Sequence, residues 1–538
     1  MPATWTNPQI VDNLLRAGLS WAGATITYGF PMVKPTWSIS SGEGAGFSSL
    51  VTAQRDAARL AISLWDDLVA ADFVETASSP KITLQNTTTN IGYAQAYLPG
   101  SWAGAGSVWF NPQYGSNSGA NNLVTPVAGQ WGFLAYIHEL GHALGLNHPG
   151  NYNGGSPAYA VDALYAQDTI MYSVMSYFDE SNTGADWIAS DNKQYYAQTP
   201  MLHDILAIQA LYGAETTTRT GNTIYGFNAS TGGSIFDFTK NAHPVLTIWD
   251  NGGIDTLDLS GFSTASRIDL NPGTFSDADG MTKNFAIAFA SDIENATGGA
   301  GNDSITGNAI ANFLKGNGGN DLLFGGDGND ILHGGAGSDT LDGGAGKDMA
   351  NYFFAAAVTV DLATGATGGD AAGDTLVSIE RVTGSQSGND SLTGSTGNNV
   401  LNGAGGDDIL NGGAGKDILR GGTGDDQLTG GAGADTFLFT AVTEMPLTGS
   451  GDLVTDFVQG ADCIRLDRID AASGGTDDAF HLAASNGGGG LGGSAGELHY
   501  VFAAGQTILE GDVNGDAVAD FRITFTGTLA FSASDFIL

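Results

Sequence analysis

A nine-residue period runs through the second half of the chain and limits what this half can fold into. The first run begins at Gly298, and its six units read GGAGNDSIT, GNAIANFLK, GNGGNDLLF, GGDGNDILH, GGAGSDTLD and GGAGKDMAN. A second run of six units begins at Ser385. The sixth position is Asp in ten of the twelve units and Asn in the other two, Asn312 and Asn399. Such fixed spacing of Asp and an apolar residue argues against a flexible glycine-rich linker.

The residue types in each unit explain what the period builds. Glycine allows a tight turn whose carbonyl oxygens point inward, and the aspartate adds the charged oxygen that Ca²⁺ prefers. The apolar eighth residue, such as Ile305 or Leu323, would fill a thin core between strands. These units are repeats-in-toxin (RTX) nonapeptides, and they predict an all-β, parallel β-roll that binds Ca²⁺. The predicted calcium-binding aspartates are Asp303, Asp321, Asp330, Asp339, Asp348, Asp390, Asp408, Asp417, Asp426 and Asp435. Sites that involve Asn312 or Asn399 should be weak or absent.

A second motif, H-E-L-G-H-A-L-G-L-N-H, begins at His138. On a helix, His138 and His142 share one face, so both imidazoles can reach one metal ion. Gly145 can adopt the left-handed conformation that ends a helix, which would bring His148 round as a third ligand. Three nitrogens and an open position are typical of a catalytic Zn²⁺ site, and Glu139 would accept a proton from the bound water.

The complete H-E-x-x-H-x-x-G-x-x-H string is the metzincin peptidase signature. Met175 and Tyr177 follow in the segment S-V-M-S-Y-F, with Met175 27 residues after His148. On these motifs the chain resembles the serralysins, which are secreted bacterial zinc proteases. The resemblance implies that Met175 packs beneath the zinc site as an apolar floor. It also implies that Tyr177 is a further zinc ligand that can swing away and stabilise the oxyanion.

Two segments before the repeats, 219–227 and 248–258, also resemble the serralysins. The resemblance implies Ca²⁺ held by backbone carbonyls of the first segment and carboxylates of the second, although ordinary Gly/Asp turns remain the alternative. The matching positions in these segments are Arg219, Gly221, Thr223, Asp250, Gly252, Gly253 and Asp255, and Asp292 and Glu294 further along match the acidic end of the same cluster. The family often has Thr where Asp292 stands.

The charge of the chain excludes some classes of partner. Its 57 acidic residues outnumber 18 basic ones, for a net charge of −39, which argues against binding nucleic acid or anionic membranes. Bound Ca²⁺ would relieve the self-repulsion. The single cysteine, Cys463, allows no intramolecular disulfide. No apolar stretch is long enough to span a membrane.

Export is the expected fate of the chain. The N-terminus lacks a basic region followed by an apolar one, so the Sec route is not expected. The ending Asp535-Phe536-Ile537-Leu538 is typical of serralysins exported by the one-step type I secretion apparatus, and the protein is therefore expected outside the cell. The other expected partners are protein or peptide substrates and a small proteinaceous inhibitor, and the chain is expected to be a monomer.

The fold class is therefore an α+β metzincin catalytic domain followed by an RTX β-roll. Apolar spacing predicts helices at 8–18, 48–71, 130–144 and 201–211, and strands at 81–84, 91–97 and 107–111. The remaining histidines, including His203 and His499, are expected to be surface or capping residues and not metal ligands. The predicted parts are a protease domain (1–215), a calcium-binding β region (216–297), the first repeat run (298–351), a strand-rich spacer (352–384), the second run (385–438) and a C-terminal β region with the secretion signal (439–538).

Two other function classes share some of these features. A calcium-binding adhesin or surface-layer protein would contain residues 298–538 but would not need the H-E-x-x-H helix. A catalytically silent scaffold or inhibitor-binding homologue would usually lack Glu139 or one of the histidines, and all are present here. The sequence therefore favours a broad-specificity zinc endopeptidase that Ca²⁺ folds and stabilises.

Overall fold

The computed structural model describes residues 2–39, 42–115, 119–447, 449–471, 478–483 and 490–538. The chain forms two compact units, Met1–Ala296 and Thr297–Leu538. The predicted β region at 216–297 thus falls, up to Ala296, in the same unit as the helices. None of the helices in the described part of the chain is long and apolar enough to cross a bilayer.

The first unit contains all five α-helices, and its predicted helices are all present. The N-terminal and second helices are shorter than the apolar spacing suggested. The second helix is shortened at both ends, because Ser48 forms a bridge with Asn86 and the residues after Asp66 turn towards a strand. The helices are α1 (Asn7–Leu14), α2 (Thr52–Asp66), α3 (Trp131–Leu144), α4 (Tyr159–Asp162) and α5 (Leu202–Tyr212). Short 3-10 turns span Thr36–Ile39, Glu43–Gly46, Gly119–Asn121 and Glu180–Thr183, with two more in the second unit at Val442–Glu444 and Ala533–Asp535.

A five-stranded sheet supports α3. Its strands are β1 (Thr25–Gly29), β2 (Asp72–Glu75), β3 (Ile82–Asn86), β4 (Ala94–Ala96) and β5 (Ser107–Phe110), in the order β2-β1-β3-β5-β4. All pairs are parallel except β4 with β5, which leaves β4 as an antiparallel edge strand. Phe110 stacks on Tyr136 of α3 with ring centroids 3.9 Å apart, and the Trp65 indole donates to the Ile137 carbonyl. This packing holds α3 beside the sheet edge.

The rest of the first unit is built from short strands. They are β6 (Ile224–Gly226), β7 (Leu246–Ile248), β8 (Thr256–Asp258), β9 (Arg267–Asp269), β10 (Phe275–Ser276) and β11 (Phe285–Ile287), and β12 (Asn295–Thr297) leads into the second unit. β6 pairs in parallel with β8. β7 pairs in parallel with β11, which pairs antiparallel with β10.

The repeats of the second unit form a stack of parallel strands, as predicted, whereas strand pairs in the spacer and in the C-terminal region are antiparallel. Its strands are β13 (Ser304–Thr306), β14 (Phe313–Gly318), β15 (Leu322–Gly328), β16 (Ile331–Ala336), β17 (Thr340–Gly346), β18 (Met349–Asn351), β19 (Val358–Asp361), β20 (Ala366–Gly369), β21 (Thr375–Val377), β22 (Arg381–Thr383), β23 (Ser391–Thr393), β24 (Val400–Gly405), β25 (Ile409–Asn411), β26 (Ala414–Gly415), β27 (Ile418–Thr423), β28 (Gln427–Thr429), β29 (Ala432–Gly433), β30 (Thr436–Leu438), β31 (Asp452–Val454), β32 (Cys463–Arg465), β33 (His481–Leu482), β34 (Glu497–Ala503), β35 (Gln506–Asp512), β36 (Phe521–Thr526) and β37 (Phe536–Ile537).

One face of the stack is a continuous sheet, here called the long sheet. It follows the order β14-β16-β18-β22-β24-β27-β30-β32-β37, and every neighbouring pair is parallel. The opposite face is divided between strands β13-β15-β17-β21 and a second set that begins with β20-β19-β23. Because β22 comes from the spacer and lies between the two runs, the runs form one stack.

The predicted apolar position fills the core of this stack. Ile305, Leu323, Leu332, Leu401 and Leu419 are fully buried. Each such side chain stabilises the fold by about 1.5–3 kcal/mol. Each nine-residue repeat adds only one layer of side chains to this core, so the turns at the edges of the stack matter for stability.

Candidate active site and metal centres

The three histidines of the first motif converge on one point. α3 presents His138 and His142, and Gly145, with φ of +119°, ends the helix and turns the chain towards His148. A side chain at Gly145 would collide with the Leu19 carbonyl, because a Cβ there would lie 2.3 Å from that oxygen. The Nε2 atom of His148 lies 2.9 Å from that of His142 and 3.3 Å from that of His138.

Backbone carbonyls fix the orientation of each ring. Nδ1 of His138 donates to Val174 O (2.7 Å), that of His142 to Leu146 O (2.7 Å) and that of His148 to Tyr152 O (2.9 Å). These bonds leave each Nε2 lone pair facing the shared point. Burial lowers the pKa of His138 to about 4 and that of His142 to about 3, so the rings are neutral. Three neutral nitrogens with hydrogen-bonded far sides fit a Zn²⁺ ion.

Glu139 and Tyr177 lie beside this point. Glu139 is buried, its Oε2 atom accepts no hydrogen bond from the described residues, and burial raises its pKa to about 8. The Tyr177 ring lies 4.5 Å from that of His148 and 5.9 Å from that of His138, and it is 36% exposed. Burial, with the nearby Glu139 charge, raises the Tyr177 pKa. A proton acceptor and a hydroxyl donor thus flank the site.

The site opens into a cleft on both sides of the histidines. One cavity of about 970 Å³ and another of about 550 Å³ share Tyr93, Ala94, His138, Glu139 and Tyr177 in their walls. The edge strand β4 forms one wall. An extended chain could therefore cross the histidines alongside a strand with free backbone groups.

Met175 packs against α3 from behind. Its side chain is fully buried, and a Cβ added at Gly141 would lie 2.5 Å from its sulfur. Only a glycine at position 141 leaves room for the Met175 side chain against the helix. Position 141 lies between His138 and His142. The expectation that Met175 is an apolar floor agrees with this placement.

Asp204, which no sequence motif pointed to, stabilises the turn that contains Met175, here called the methionine turn. It lies on α5, and its buried carboxylate accepts from Ser173 Oγ (2.6 Å), Val174 N (2.7 Å) and Met201 N (2.9 Å). Burial raises its pKa to about 7. Since the carbonyl of Val174 accepts from His138, Asp204 positions the first histidine through one residue. Its position 66 residues after His138 hid this role.

We expect Asp204→Asn to weaken Zn²⁺ binding by about 10- to 100-fold, because the amide nitrogen cannot accept the backbone hydrogen bonds of the turn. The measurement is a zinc titration against a chelating dye. Asp66→Asn is the matched control, since Asp66 accepts only from the Phe73 amide and contacts no part of the turn. Equal affinities in the parent and Asp204→Asn would contradict this role.

Two more unpredicted residues hold the segment around His148. The Tyr152 hydroxyl donates to Asp168 (2.6 Å), which is fully buried, and burial raises the Asp168 pKa to about 6. Arg16, after α1, donates to the carbonyls of His148 (2.6 Å) and Gly150 (3.1 Å). The third histidine is therefore held from two distant parts of the chain.

The predicted calcium cluster before the repeats is partly assembled. Asp255 Oδ1 accepts from Thr223 N (2.7 Å), and the Asp255 amide donates to Glu294 (2.6 Å). Asp255 Oδ2 is buried without a hydrogen-bond partner, and burial raises its pKa to about 7, with Asp250 and Glu294 nearby. A buried orphan oxygen among acidic groups fits a cation.

The other predicted members of this cluster lie close by, with one exception. Gly253 packs so tightly on Gly221 that a Cβ would lie 2.7 Å from its carbonyl carbon, and Gly252 donates to Asp250 (2.7 Å). The Arg219 guanidinium binds Asp67 and the Trp249 carbonyl, which leaves its own carbonyl as its only contribution to a metal site. Asp292 is exposed, and no contact joins it to this group among the described residues.

The repeat aspartates form ladders. In eight of the ten, one carboxylate oxygen accepts from the backbone amide of the residue 18 positions earlier, as in Asp303 N to Asp321 (2.7 Å) and Asp321 N to Asp339 (2.8 Å). The other oxygen, Oδ2, is buried without a hydrogen-bond partner in eight of the ten predicted aspartates. These are Asp321, Asp330, Asp339, Asp348, Asp408, Asp417, Asp426 and Asp435.

The orphan oxygens sit in cradles that fit Ca²⁺. A Cβ on Gly316 would lie 2.1 Å from Asp321 Oδ2 and 2.5 Å from the Gly334 carbonyl, so only glycine keeps this space open. Burial raises the pKa of Asp321 and Asp408 to about 7. A carboxylate and a carbonyl that converge without a hydrogen-bond donor between them need either a cation or a proton.

The first aspartate of each run differs from the rest. Oδ2 of Asp303 accepts from Gly299 N (2.6 Å), and that of Asp390 accepts from Ser385 N (2.6 Å), so both are already satisfied by backbone. The amide oxygens of Asn312 and Asn399 also accept backbone hydrogen bonds. Weak calcium binding at the asparagine units remains a prediction.

The ladders continue through residues outside the repeats. The amides of Asp339, Asp348, Asp426 and Asp435 donate to acidic side chains that no repeat predicts. These acceptors are Asp374 (2.9 Å), Glu380 (2.9 Å), Asp452 (3.0 Å) and Asp462 (3.0 Å), respectively. Their separations of 26 to 35 residues, instead of 18, concealed them.

The prediction that His203 and His499 are surface or capping residues is wrong. His203 is 2% exposed and stacks on Tyr172 with ring centroids 4.9 Å apart, and His499 is 1% exposed. Both lie in elements whose apolar neighbours bury them. Neither is close to the three converging histidines.

Comparisons with known proteins agree with this picture. Residues 214–368 and 350–538 match the family model described as Peptidase M10 serralysin C terminal. Metalloprotease AprA of Pseudomonas entomophila (strain L48) is 42% identical over 316 residues, which cover 56% of this chain and 63% of that protein. Serralysin of Proteus mirabilis is 40% identical over 322 residues, or 54% of this chain and 62% of that protein. The chain thus spans less than two thirds of each relative's length.

Among solved structures, the AlgE6R3 subunit of the Azotobacter vinelandii mannuronan C5-epimerase matches 27% of this chain and 77% of that chain. The match has 27% identity and a TM-score of 0.20.

Proposed function

Because the chain belongs to the serralysin family of M10 peptidases, we propose that it is a secreted zinc-dependent endopeptidase of broad specificity. Its first unit would be an α+β metzincin catalytic domain and its second a calcium-binding β-roll. The observation that carries the proposal is the convergence of three Nε2 atoms beside Glu139, in a cleft open on both sides.

The proposed reaction assigns a role to each residue of the cleft. A zinc ion on His138, His142 and His148 would polarise the peptide carbonyl and acidify a water. Glu139 would accept the proton of that water and pass it to the leaving amine. The Tyr177 hydroxyl would donate a hydrogen bond to the developing oxyanion. β4 would bind the substrate backbone as an added strand, which suits broad specificity.

Calcium would act on the second unit and at the cluster around Asp255. We propose that low cytosolic Ca²⁺ leaves the roll unfolded for export by the type I apparatus, and that external Ca²⁺ folds it. Eight buried orphan oxygens support this idea. Retention of the folded roll after Ca²⁺ removal would refute it.

Casein cleavage by the purified chain tests the proposed activity. We expect cleavage that a chelator abolishes and that Zn²⁺ together with Ca²⁺ restores. Absence of cleavage by a folded, zinc-loaded chain would favour a calcium-binding adhesin or a silent scaffold homologue.

We expect Tyr177→Phe to lower kcat by about 10²- to 10³-fold with little change in KM, because one donor to the oxyanion is lost. The measurement is steady-state hydrolysis of a quenched fluorescent peptide. Tyr195→Phe is the control, since Tyr195 donates to Asp191 and lines neither cavity. A larger effect on KM than on kcat would indicate a role in substrate binding instead.

A further inference from the structure

The wall of the larger cleft cavity contains a single arginine, Arg16. This residue lines the cavity of about 970 Å³ but not the one of about 550 Å³. Among the described residues, it is the only lysine or arginine in the wall of either cavity, and Glu139 is the only acidic residue there. One side of the cleft therefore carries a positive charge that the other side lacks, in a chain whose net charge is −39.

The backbone around Arg16 holds its side chain in place. Arg16 lies just after α1, and Asn13 of that helix donates from Nδ2 to the carbonyl of Pro149 (2.5 Å). The Arg16 guanidinium spans the same junction. Its Nη1 atom donates to the carbonyls of Asn13 (2.9 Å) and His148 (2.6 Å), and its Nη2 atom donates to that of Gly150 (3.1 Å). Because the side chain is already ordered, a ligand that binds it loses little further rotamer entropy.

The guanidinium keeps donors that could bind a substrate. It has five N–H groups, and the three carbonyls accept from Nη1 and Nη2 only. The Nε atom donates to none of the described residues, and Nη2 has a second proton. Nε and Nη2 form one edge of the planar group, and a carboxylate can accept from both atoms of such an edge with its two oxygens. Arg16 is also exposed to solvent.

We propose that Arg16 selects substrates that carry an acidic side chain on its side of the scissile bond. The substrate carboxylate would accept paired hydrogen bonds from Nε and Nη2, while the substrate backbone lies along β4. The inference rests on the proposed function, because the cavity receives a polypeptide only if the chain is a peptidase. A preference at one position leaves the others unrestricted, which is compatible with broad specificity.

The test compares pairs of quenched fluorescent peptides that differ only by Glu or Gln at one position. The Glu is placed in turn at each of three positions on either side of the scissile bond, and both peptide ends are blocked to exclude a terminal carboxylate. We expect the parent to favour Glu by about 10-fold in kcat/KM at a position on one side only, because a charged hydrogen-bonded pair forms. Arg16→Gln should reduce this ratio to about one.

The ratio separates specificity from zinc binding. Arg16 also contacts the His148 carbonyl, so Arg16→Gln could bind less zinc. Both peptides are cleaved by the same protein sample, so their ratio does not depend on the zinc-loaded fraction. Arg55→Gln is the matched control and should keep the parental ratio. Arg55 also donates to a carbonyl, that of Leu50 (2.6 Å), but it lines neither cavity.

A second variant leaves Arg16 and its hydrogen bonds intact. Leu19 is 39% exposed and lines the same cavity. Leu19→Glu would add a negative charge to this wall and should lower the Glu-to-Gln ratio, because the added carboxylate repels an acidic substrate. Leu19→Gln has nearly the same shape without the charge and should keep the ratio.

Three results would overturn the role of Arg16. They are equal cleavage of the Glu and Gln peptides by the parent at every position, an equal loss of preference in Arg16→Gln and Arg55→Gln, and an unchanged ratio in Leu19→Glu. The last result decides the question if Arg16→Gln is inactive. Failure of the folded, zinc-loaded parent to cleave any peptide would instead contradict the proposed function itself.

Discussion

Replacement of Glu139 by glutamine is expected to lower kcat for peptide hydrolysis by about 10²- to 10⁴-fold while zinc stays bound. The loss follows from the position of Glu139, which is the buried carboxylate next to the three converging Nε2 atoms. A positioned general base contributes an acceleration of this size. The glutamine side chain has the same shape, so the metal ligands should keep their places. The measurement is steady-state peptide hydrolysis together with the zinc content of each protein.

The control separates the roles of base and ligand. His142→Ala should lose both zinc and activity, whereas Glu139→Gln should lose activity alone. Near-parental turnover in Glu139→Gln would overturn the assigned role, because no other acidic residue among those described lines either cavity.

Removal of Ca²⁺ is expected to unfold the second unit at pH 8 but to have little effect at pH 4.5. Without a cation, burial raises the pKa of Asp321 and Asp408 to about 7, above the value of about 3.9 in an unfolded chain. The folded roll therefore binds more protons than the unfolded chain. This contribution to stability is full below about pH 4 and is lost as the pH rises through about 7. At pH 8, Ca²⁺ at a thousand times its Kd would contribute about 4 kcal/mol per site.

Circular dichroism melts of Glu139→Gln, which avoids self-cleavage, would measure this effect with and without a calcium chelator. Asp321→Asn should reduce both the calcium gain and the pH dependence. Asp342→Asn should change neither, because Asp342 lies on an outward strand position. A chelated chain that becomes more stable from pH 5 to pH 8 would contradict the raised pKa values.

Sequence alone predicted the parts of the site that depend on local geometry. Helical spacing aligns His138 with His142, and a left-handed glycine brings in His148, so eleven residues specify the ligands. Asp204, Asp168 and Arg16 support these ligands from distant positions that no local pattern connects to the motif. The same limit applied in the roll. A period of 18 residues accounts for most of the amide-to-carboxylate hydrogen bonds, but not for those that join residues farther apart in the chain.

The aspartate ladders also have a direction. Each backbone amide donates to a carboxylate that comes later in the chain, from Asp303 to Asp321 and finally from Asp426 to Asp452 and from Asp435 to Asp462. A unit is therefore complete only when its successor is in place. In a stack with neighbour-to-neighbour contacts, this dependence passes from each repeat to the next. The last repeats therefore depend on the segment around Asp452 and Asp462, which lies outside the nonapeptide pattern.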